Sequence, residues 1–298
     1  MVGQHCGNGA ETAQGFQDYV EGLHDKSSKY PALIGLEYGF SKGNDLTFIN
    51  KFALKHWQRG GLVTISWHAD NPWVAGYNPR YDAAANKDSI DLNALLSNAP
   101  ESEAKTNYRN ELQKVAMGLL ELKKAGVTVL WRPFHEMNGS WFWWGANDKN
   151  MPTNVESYKL LWQDMYNYFT NVMGLNNLVW IYCPNAGSKS MPSVLTFYPG
   201  TRYVDVVGVD NYSVSADFMD YYLLKTLRKP IVIGEVGPRK EVYGRFSESN
   251  IIKAFKGKAA YFLQWSSWSN AKVAIVDNDE IGTMMSDPAA ITLDKMKP

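Results

Sequence analysis

The sequence predicts a closed (β/α)8 barrel, and three observations carry that reading. Eight short apolar runs recur along the 298 residues, helix-like segments fall between them, and no glycine-rich dinucleotide fingerprint follows the first run. The runs are continuous rather than alternating, as in parallel strands covered on both faces. Eight strand–helix repeats in about 300 residues favour closure over an open doubly wound sheet. With no low-complexity linker or shift in composition, residues 1–298 read as a single catalytic barrel domain.

The elements follow in order. "MVGQH" (1–5) is the first strand, with a helix over 11–24. "ALIGLEY" (32–38) is the second, with a helix over 45–59. "GLVTISWHA" (61–69) is the third. The long, polar, Asn- and Ala-rich stretch 70–102 is expected to form an extended loop over one barrel face. A helix over 103–125 comes next, with Leu112, Val115, Ala116, Leu119, Leu120 and Leu122 at roughly helical spacing and Gly126 as its stop. "VTVLWRPFHE" (127–136) is the fourth strand. The following helix, 154–173, should open on Asn154 as N-cap and stop at Gly174. "NLVWIYCPN" (177–185), "VDVVGVDNY" (204–212), "PIVIGEVG" (230–237) and "AAYFLQWSSW" (259–268) complete the strands. Helices over 216–227, 247–255 and 286–296 are expected among and after them.

Charge and composition exclude several classes. The 30 basic and 30 acidic residues balance, and no basic block is present, so binding to nucleic acid or to an anionic membrane surface has no electrostatic support. No apolar run reaches the roughly 18–20 residues needed to span a bilayer. Cys6 and Cys183 do not make a disulfide framework. They end strands one and five, on opposite walls of the barrel, farther apart than the roughly 7 Å a disulfide tolerates between Cα atoms. Two free, buried thiols are expected.

In a barrel of this kind the chemistry sits at the C-terminal ends of the strands. There the sequence places His5, then Glu37, then Trp67 and His68. Strand four ends in Arg132, His135 and Glu136, strand five in Asn185, and strand six in Asp210, Asn211 and Tyr212. Glu235 ends strand seven, and Trp265 and Trp268 end strand eight. A ring of carboxyls, imidazoles and large aromatics suits a neutral, hydroxyl-rich ligand, because flat sugar faces stack on Trp and Tyr. Glu136 and Glu235 face each other across the barrel mouth. Two such carboxyls can perform retaining glycoside hydrolysis, one as acid and one as nucleophile, if their surroundings hold their pKa values apart. A metal site is not indicated: the histidines are scattered, and "HEMNG" lacks the second His of a zinc helix motif. No G-x-S-x-G nucleophile elbow occurs, and the sequons "NGS" (138–140) and "NYS" (211–213) fall within the cleft and read as chance.

The segments "WRPFHEMNGSWFWWG", "VIGEVG", "VDVVGVDNYS" and "ISWHADNP" resemble those of glycoside hydrolase family 26, best known for endo-β-1,4-mannanases. The first motif is highly specific, and the likeness runs through all eight strand ends. The resemblance implies a retaining endo-β-1,4-mannanase that cleaves mannan, glucomannan or galactomannan without a cofactor. It implies Glu136 as acid/base and Glu235 as nucleophile. Arg132 and Tyr212 would position the nucleophile, and Asp210 would support that network. His135 would contact the sugar near the cleavage point, with His68 and Trp141 on either side of the scissile bond. Trp265 would form the platform under the cleaved sugar, with Trp268 as the other candidate. Trp143 and Trp144 could pack under the loop or touch sugar. A β-glucanase or β-1,3-xylanase of the same family is the alternative, and a non-catalytic sugar-binding barrel the more distant one. The expected partners are β-mannans and manno-oligosaccharides, met by a monomer. A secreted protein is expected from the substrate class, although no signal peptide precedes Gly3.

Overall fold

A computed structural model of the chain describes residues 1–39, 45–74, 76, 78–80, 90–145 and 151–296. Eight parallel strands close into a barrel in sequence order, β1 pairing with both β2 and β8. They are β1 (Val2–His5), β2 (Leu33–Glu37), β3 (Leu62–Trp67), β4 (Val129–Pro133), β5 (Leu178–Tyr182), β6 (Val206–Ser213), β7 (Ile231–Pro238) and β8 (Phe262–Gln264). Every run read as a strand from the sequence contains one, mostly trimmed at its ends; β6 and β7 instead run one residue further, to Ser213 and Pro238. The strands are buried almost throughout, which is why their apolarity does not alternate. One apolar cluster, including Leu33, Ile181, Cys183, Val232 and Leu263, is separate from the larger one that packs strands against helices.

The helices are α1 (Thr12–Gly15), α2 (Gly22–Ser27), α3 (Leu46–Gln58), α4 (Glu103–Lys124), α5 (Met151–Asn167), α6 (Tyr221–Lys225), α7 (Ser249–Phe255) and α8 (Ile281–Ser286). Asp45 caps α3 by accepting from the Phe48 amide at 3.0 Å, and Ser102 caps α4 by accepting from Lys105 at 3.2 Å. Gly126 and Gly174 take positive φ, 75° and 63°, near the expected helix ends. Two expectations are corrected. Asn154 is not an N-cap: α5 already begins at Met151, and the Asn154 amide instead donates to the Gly145 carbonyl at 3.0 Å. The last helix lies at Ile281–Ser286, and the stretch 286–296 holds only a 3₁₀ turn at Leu293–Lys295, because Asp287 and the residues after it leave helical geometry. Within 70–102, residues 75, 77 and 81–89 lie outside the described set; Leu92–Leu95 forms a 3₁₀ turn with Leu92 and Leu95 buried.

One irregularity of the sheet bears on function. Between β6 and β7 the register runs Val209 to Ile233 and then Asp210 to Glu235, so Gly234 is an extra residue. A bulge of this kind re-aims the side chain that follows it. A Cβ on Gly234 would lie 2.3 Å from Cys183 Sγ and 2.8 Å from Asp210 Oδ1, so only glycine fits there.

Candidate active site

The end of β4 carries the acid candidate on a strained backbone. Phe134 and Glu136 both have positive φ, 47° and 55°, a region costly for residues other than glycine. Tertiary contacts hold each residue of this segment. Tyr158 Oη donates to the Phe134 carbonyl at 3.0 Å, Trp144 Nε1 to that of His135 at 2.8 Å, and the Glu136 amide to the Cys183 carbonyl at 2.8 Å. Phe134 is fully buried among Trp67, Trp143 and Trp144.

That backbone turn points Glu136 into the cleft. Its Oε2 accepts from Trp141 Nε1 at 2.7 Å and its Oε1 from Asn185 Nδ2 at 3.0 Å. Asn138 keeps Asn185 in place by accepting from its amide at 2.8 Å and donating to its carbonyl at 2.9 Å. Burial, and then the charge of Glu235, push the Glu136 carboxyl up to about 7, against the donors Asn185 and Trp141 and the charge of Arg132.

Glu235 meets a different environment. Arg132 Nη2 donates to its Oε1 at 2.6 Å, and Tyr212 Oη donates to its Oε2 at 2.7 Å. Each of its two oxygens is thus engaged by a donor. Arg132 Nη1 also donates to Asp210 Oδ2 at 2.9 Å, and the Cys183 thiol donates to Asp210 Oδ1 at 3.1 Å. Burial and the neighbouring Glu235 push the Tyr212 phenol well up, so it remains a donor. His135 Nε2 lies 3.6 Å from Glu235 Oε1 and 2.9 Å from His68 Nε2. Burial, Arg132 and His68 hold the His135 imidazole well below its ordinary range, hence neutral.

One carboxyl oxygen from each of Glu136, Asp210 and Glu235 lies within 4.8 Å of the others, and so do the ring nitrogens of His68 and His135 with Glu235. Either trio has the residue types of a metal site. The guanidinium of Arg132 already supplies the positive charge between Asp210 and Glu235, and the two imidazoles share a hydrogen bond.

The ten residues singled out from sequence therefore fall around one cleft of about 780 Å³, in two groups. His68, Glu136, Tyr212, Glu235, Trp265 and Trp268 line it. Arg132, His135 and Asp210 lie behind the lining, almost fully buried, and Trp141 holds Glu136 from the side. The two tryptophans differ in kind. Trp265 is 7% exposed and stacks on His5 at 3.6 Å with an interplanar angle of 10°, a fixed floor beside the carboxyls. Trp268 is 48% exposed. Trp143 and Trp144 are wholly buried and pack under the loop. The sequon asparagines are engaged as well: the Asn138 amide donates to Asn185, and that of Asn211 to the Asp217 carbonyl at 2.8 Å. Asn185, noted at the end of its strand but given no role from sequence, is a hydrogen-bond partner of Glu136. The remaining lining, with Asn8, Glu11, Lys240 and Tyr243, comes from two short 3₁₀ turns and their flanking residues, which carry no motif.

A closed parallel barrel with paired carboxyls at the ends of β4 and β7, over an aromatic floor, defines the class of barrel glycoside hydrolases. Within it, the chain belongs to glycosyl hydrolase family 26, whose model matches residues 7–295. It is 38% identical over 264 residues to a mannan endo-1,4-beta-mannosidase A and B of Caldalkalibacillus mannanilyticus, covering 82% of this chain and 50% of that protein. It is 37% identical over 273 residues to a mannan endo-1,4-beta-mannosidase of Bacillus subtilis, covering 84% and 70%. The chain thus spans half the length of the first relative. Among solved structures, Bacillus subtilis mannanase BCman superposes with a TM-score of 0.83 at 31% identity, over 96% of this chain and 84% of that one.

Proposed function

We propose that this chain is a retaining endo-β-1,4-mannanase acting on mannan, glucomannan or galactomannan, outside the cell where such polymers lie. The observation that carries the mechanism is the approach of Glu136 and Glu235 carboxyl oxygens to within 4.8 Å. Retaining enzymes hold these groups about 5–5.5 Å apart for direct attack, whereas inverting ones need roughly 6.5–9.5 Å to seat a water. Glu235 attacks the anomeric carbon, and Glu136, protonated because it is buried, gives its proton to the departing glycosidic oxygen. The Glu136 carboxylate then takes a proton from the water that releases the covalent sugar. Trp265 stacks against the sugar at the cleavage point, and His68 and Trp141 contact sugars on either side of the scissile bond. The relatives named as mannan endo-1,4-beta-mannosidases support mannan as substrate.

Reducing-sugar release from mannan, lichenan and β-1,3-xylan, with product anomers followed by NMR, tests this reading. Cleavage of mannan with the β anomer formed first is expected. Preference for either other polymer, or the α anomer first, would overturn it.

A further inference from the structure

Glu37 is a fully buried carboxylate of the site, and no step of the proposed reaction uses it. It lies at the end of β2, and its two oxygens meet different partners. Oε1 accepts from two backbone amides, Gly39 at 2.6 Å and His68 at 2.8 Å. Oε2 accepts from Ser66 Oγ at 2.5 Å and faces His68 Nδ1 at 2.9 Å. His68 Nε2 then meets His135 Nε2 at 2.9 Å, and His135 Nε2 lies 3.6 Å from the nucleophile. Four groups thus stand in file from Glu37 to Glu235.

We propose that Glu37 is a positioning residue that fixes the tautomer of His68 and, through it, the direction of the hydrogen bond between His68 and His135 beside the nucleophile. This rests on the reading of Glu235 as nucleophile. Three donors other than the imidazole, the Gly39 and His68 amides and the Ser66 hydroxyl, already face Glu37, so it is a carboxylate with no proton to give and His68 Nδ1 must carry one. Burial opposes that charge, but His68 and the hydrogen bonds outweigh it and hold the carboxyl at about 2. A single proton can lie between the two Nε2 atoms. If His68 supplied it, neutral His135 would carry its own proton on Nδ1, which is buried and has no partner among the described residues. A stranded N–H is rarer than a stranded lone pair. The proton is therefore on His135 Nε2, His68 Nε2 is the acceptor, and His135 keeps an N–H edge beside Glu235 Oε1.

The unequal partners of the two oxygens make Glu37→Gln a sharp test. Two backbone N–H groups require an acceptor at the Oε1 position, so the amide oxygen goes there and the NH2 group faces His68. Nδ1 of His68 must then accept, its proton moves to Nε2, and the file reverses. The change costs no volume. We expect kcat on mannan to fall by about 10²-fold, the scale for a displaced catalytic array, with KM and thermal midpoint little changed. Histidine ¹⁵N NMR without substrate should find His68 protonated on Nδ1 in the wild type and on Nε2 in Glu37→Gln. Glu37→Asp keeps the charge and should keep the wild-type tautomer with a smaller loss of kcat. A wild-type His68 protonated on Nε2 alone overturns the inference, as does wild-type kcat in Glu37→Gln. So do equal losses in Gln and Asp variants with the tautomer unmoved, which would indicate packing alone. Should Glu37→Gln not fold, the wild-type tautomer and the Asp variant still decide. Absence of mannan cleavage by the wild type would instead remove the proposed function, since the NMR comparison needs no substrate.

Discussion

At the residue scale, Glu136 and Glu235 are the same side chain in two environments. Trp141 and Asn185 donate to Glu136 but burial dominates, whereas Glu235 has a guanidinium and a phenol on its two oxygens. The roles they suggest separate by leaving group. Glu235→Ala should nearly abolish turnover of every substrate. Glu136→Ala should spare aryl mannosides with activated phenolates, which depart without protonation, far more than mannan. Equal losses on both, in steady-state assays, would remove the assignment. The alkaline limb of the pH–rate profile should fall near 7, where Glu136 loses its proton. Burial is the larger cause of that value and the Glu235 charge the second. In Glu235→Gln, infrared titration should therefore find the Glu136 pKa lowered but still above the ordinary carboxylate range. A return to the ordinary value would make charge, not burial, the main cause.

At the scale of elements, the site depends on two local departures from regular strand geometry. Gly234 forms the bulge that brings Glu235 opposite Asp210, and a methyl there collides with Cys183 and Asp210. Gly234→Ala should destabilise the protein by about 1–3 kcal/mol in urea titration, the usual cost of overpacking. It should also lower kcat by displacing Arg132, whose Cδ lies 3.1 Å from the added carbon. Unchanged kcat would mean the bulge is not what aims Glu235. The left-handed turn at Phe134–Glu136 is held by indole and phenol donors rather than by glycine. Trp144→Phe keeps most of the packing and removes the N–H to His135. A loss of about 1–2 kcal/mol follows from an unsatisfied buried carbonyl, and thermal melts can read it.

At the scale of the whole molecule, buried carboxyls set how stability follows pH. Burial, and then Asp70, push Glu111 up to about 8, and Glu136 stands at about 7. Both have folded pKa values above the unfolded one of 4.5, so between that pH and their folded values the native state binds more protons. Stability contributed by these groups is full below pH 4.5 and declines as pH rises towards 7 and 8. Glu37 runs the other way: at about 2 when folded, its contribution is present above 4.5 and lost as pH falls through that range. The thermal midpoint should therefore be highest on the acidic side of neutrality. Glu111→Gln should flatten the decline towards pH 8, by on the order of 4–5 kcal/mol across it. An unaltered slope in that variant would show that Glu111 titrates normally. Cys6 and Cys183 are both free and buried. Two thiols per chain should react on denaturation without reductant, and none rapidly before it.

By itself the sequence determined the fold class, the order of the strands and the ring of residues that could do chemistry. Continuous apolar runs such as "VDVVGV" are visible because burial on both faces leaves no alternation, and a barrel makes every strand end part of one surface. "WRPFHE" and "GEVG" showed which carboxyls stand at that surface. Asn154 misled because an N-cap is recognised from local residue type, whereas α5 begins a turn earlier and the Asn154 amide joins Gly145 across the loop. The pairing of Asn185 with Glu136 and of Glu37 with the histidine file depended on distances between residues 49 and 31 positions apart in the chain. The stacking of Trp265 on His5, 260 residues away, likewise leaves no signal in either segment. Local pattern records what each segment buries. Which buried groups meet, and so which carboxyl keeps its proton, was decided only by closing the barrel, because hydrogen bonding and desolvation act through space between strands.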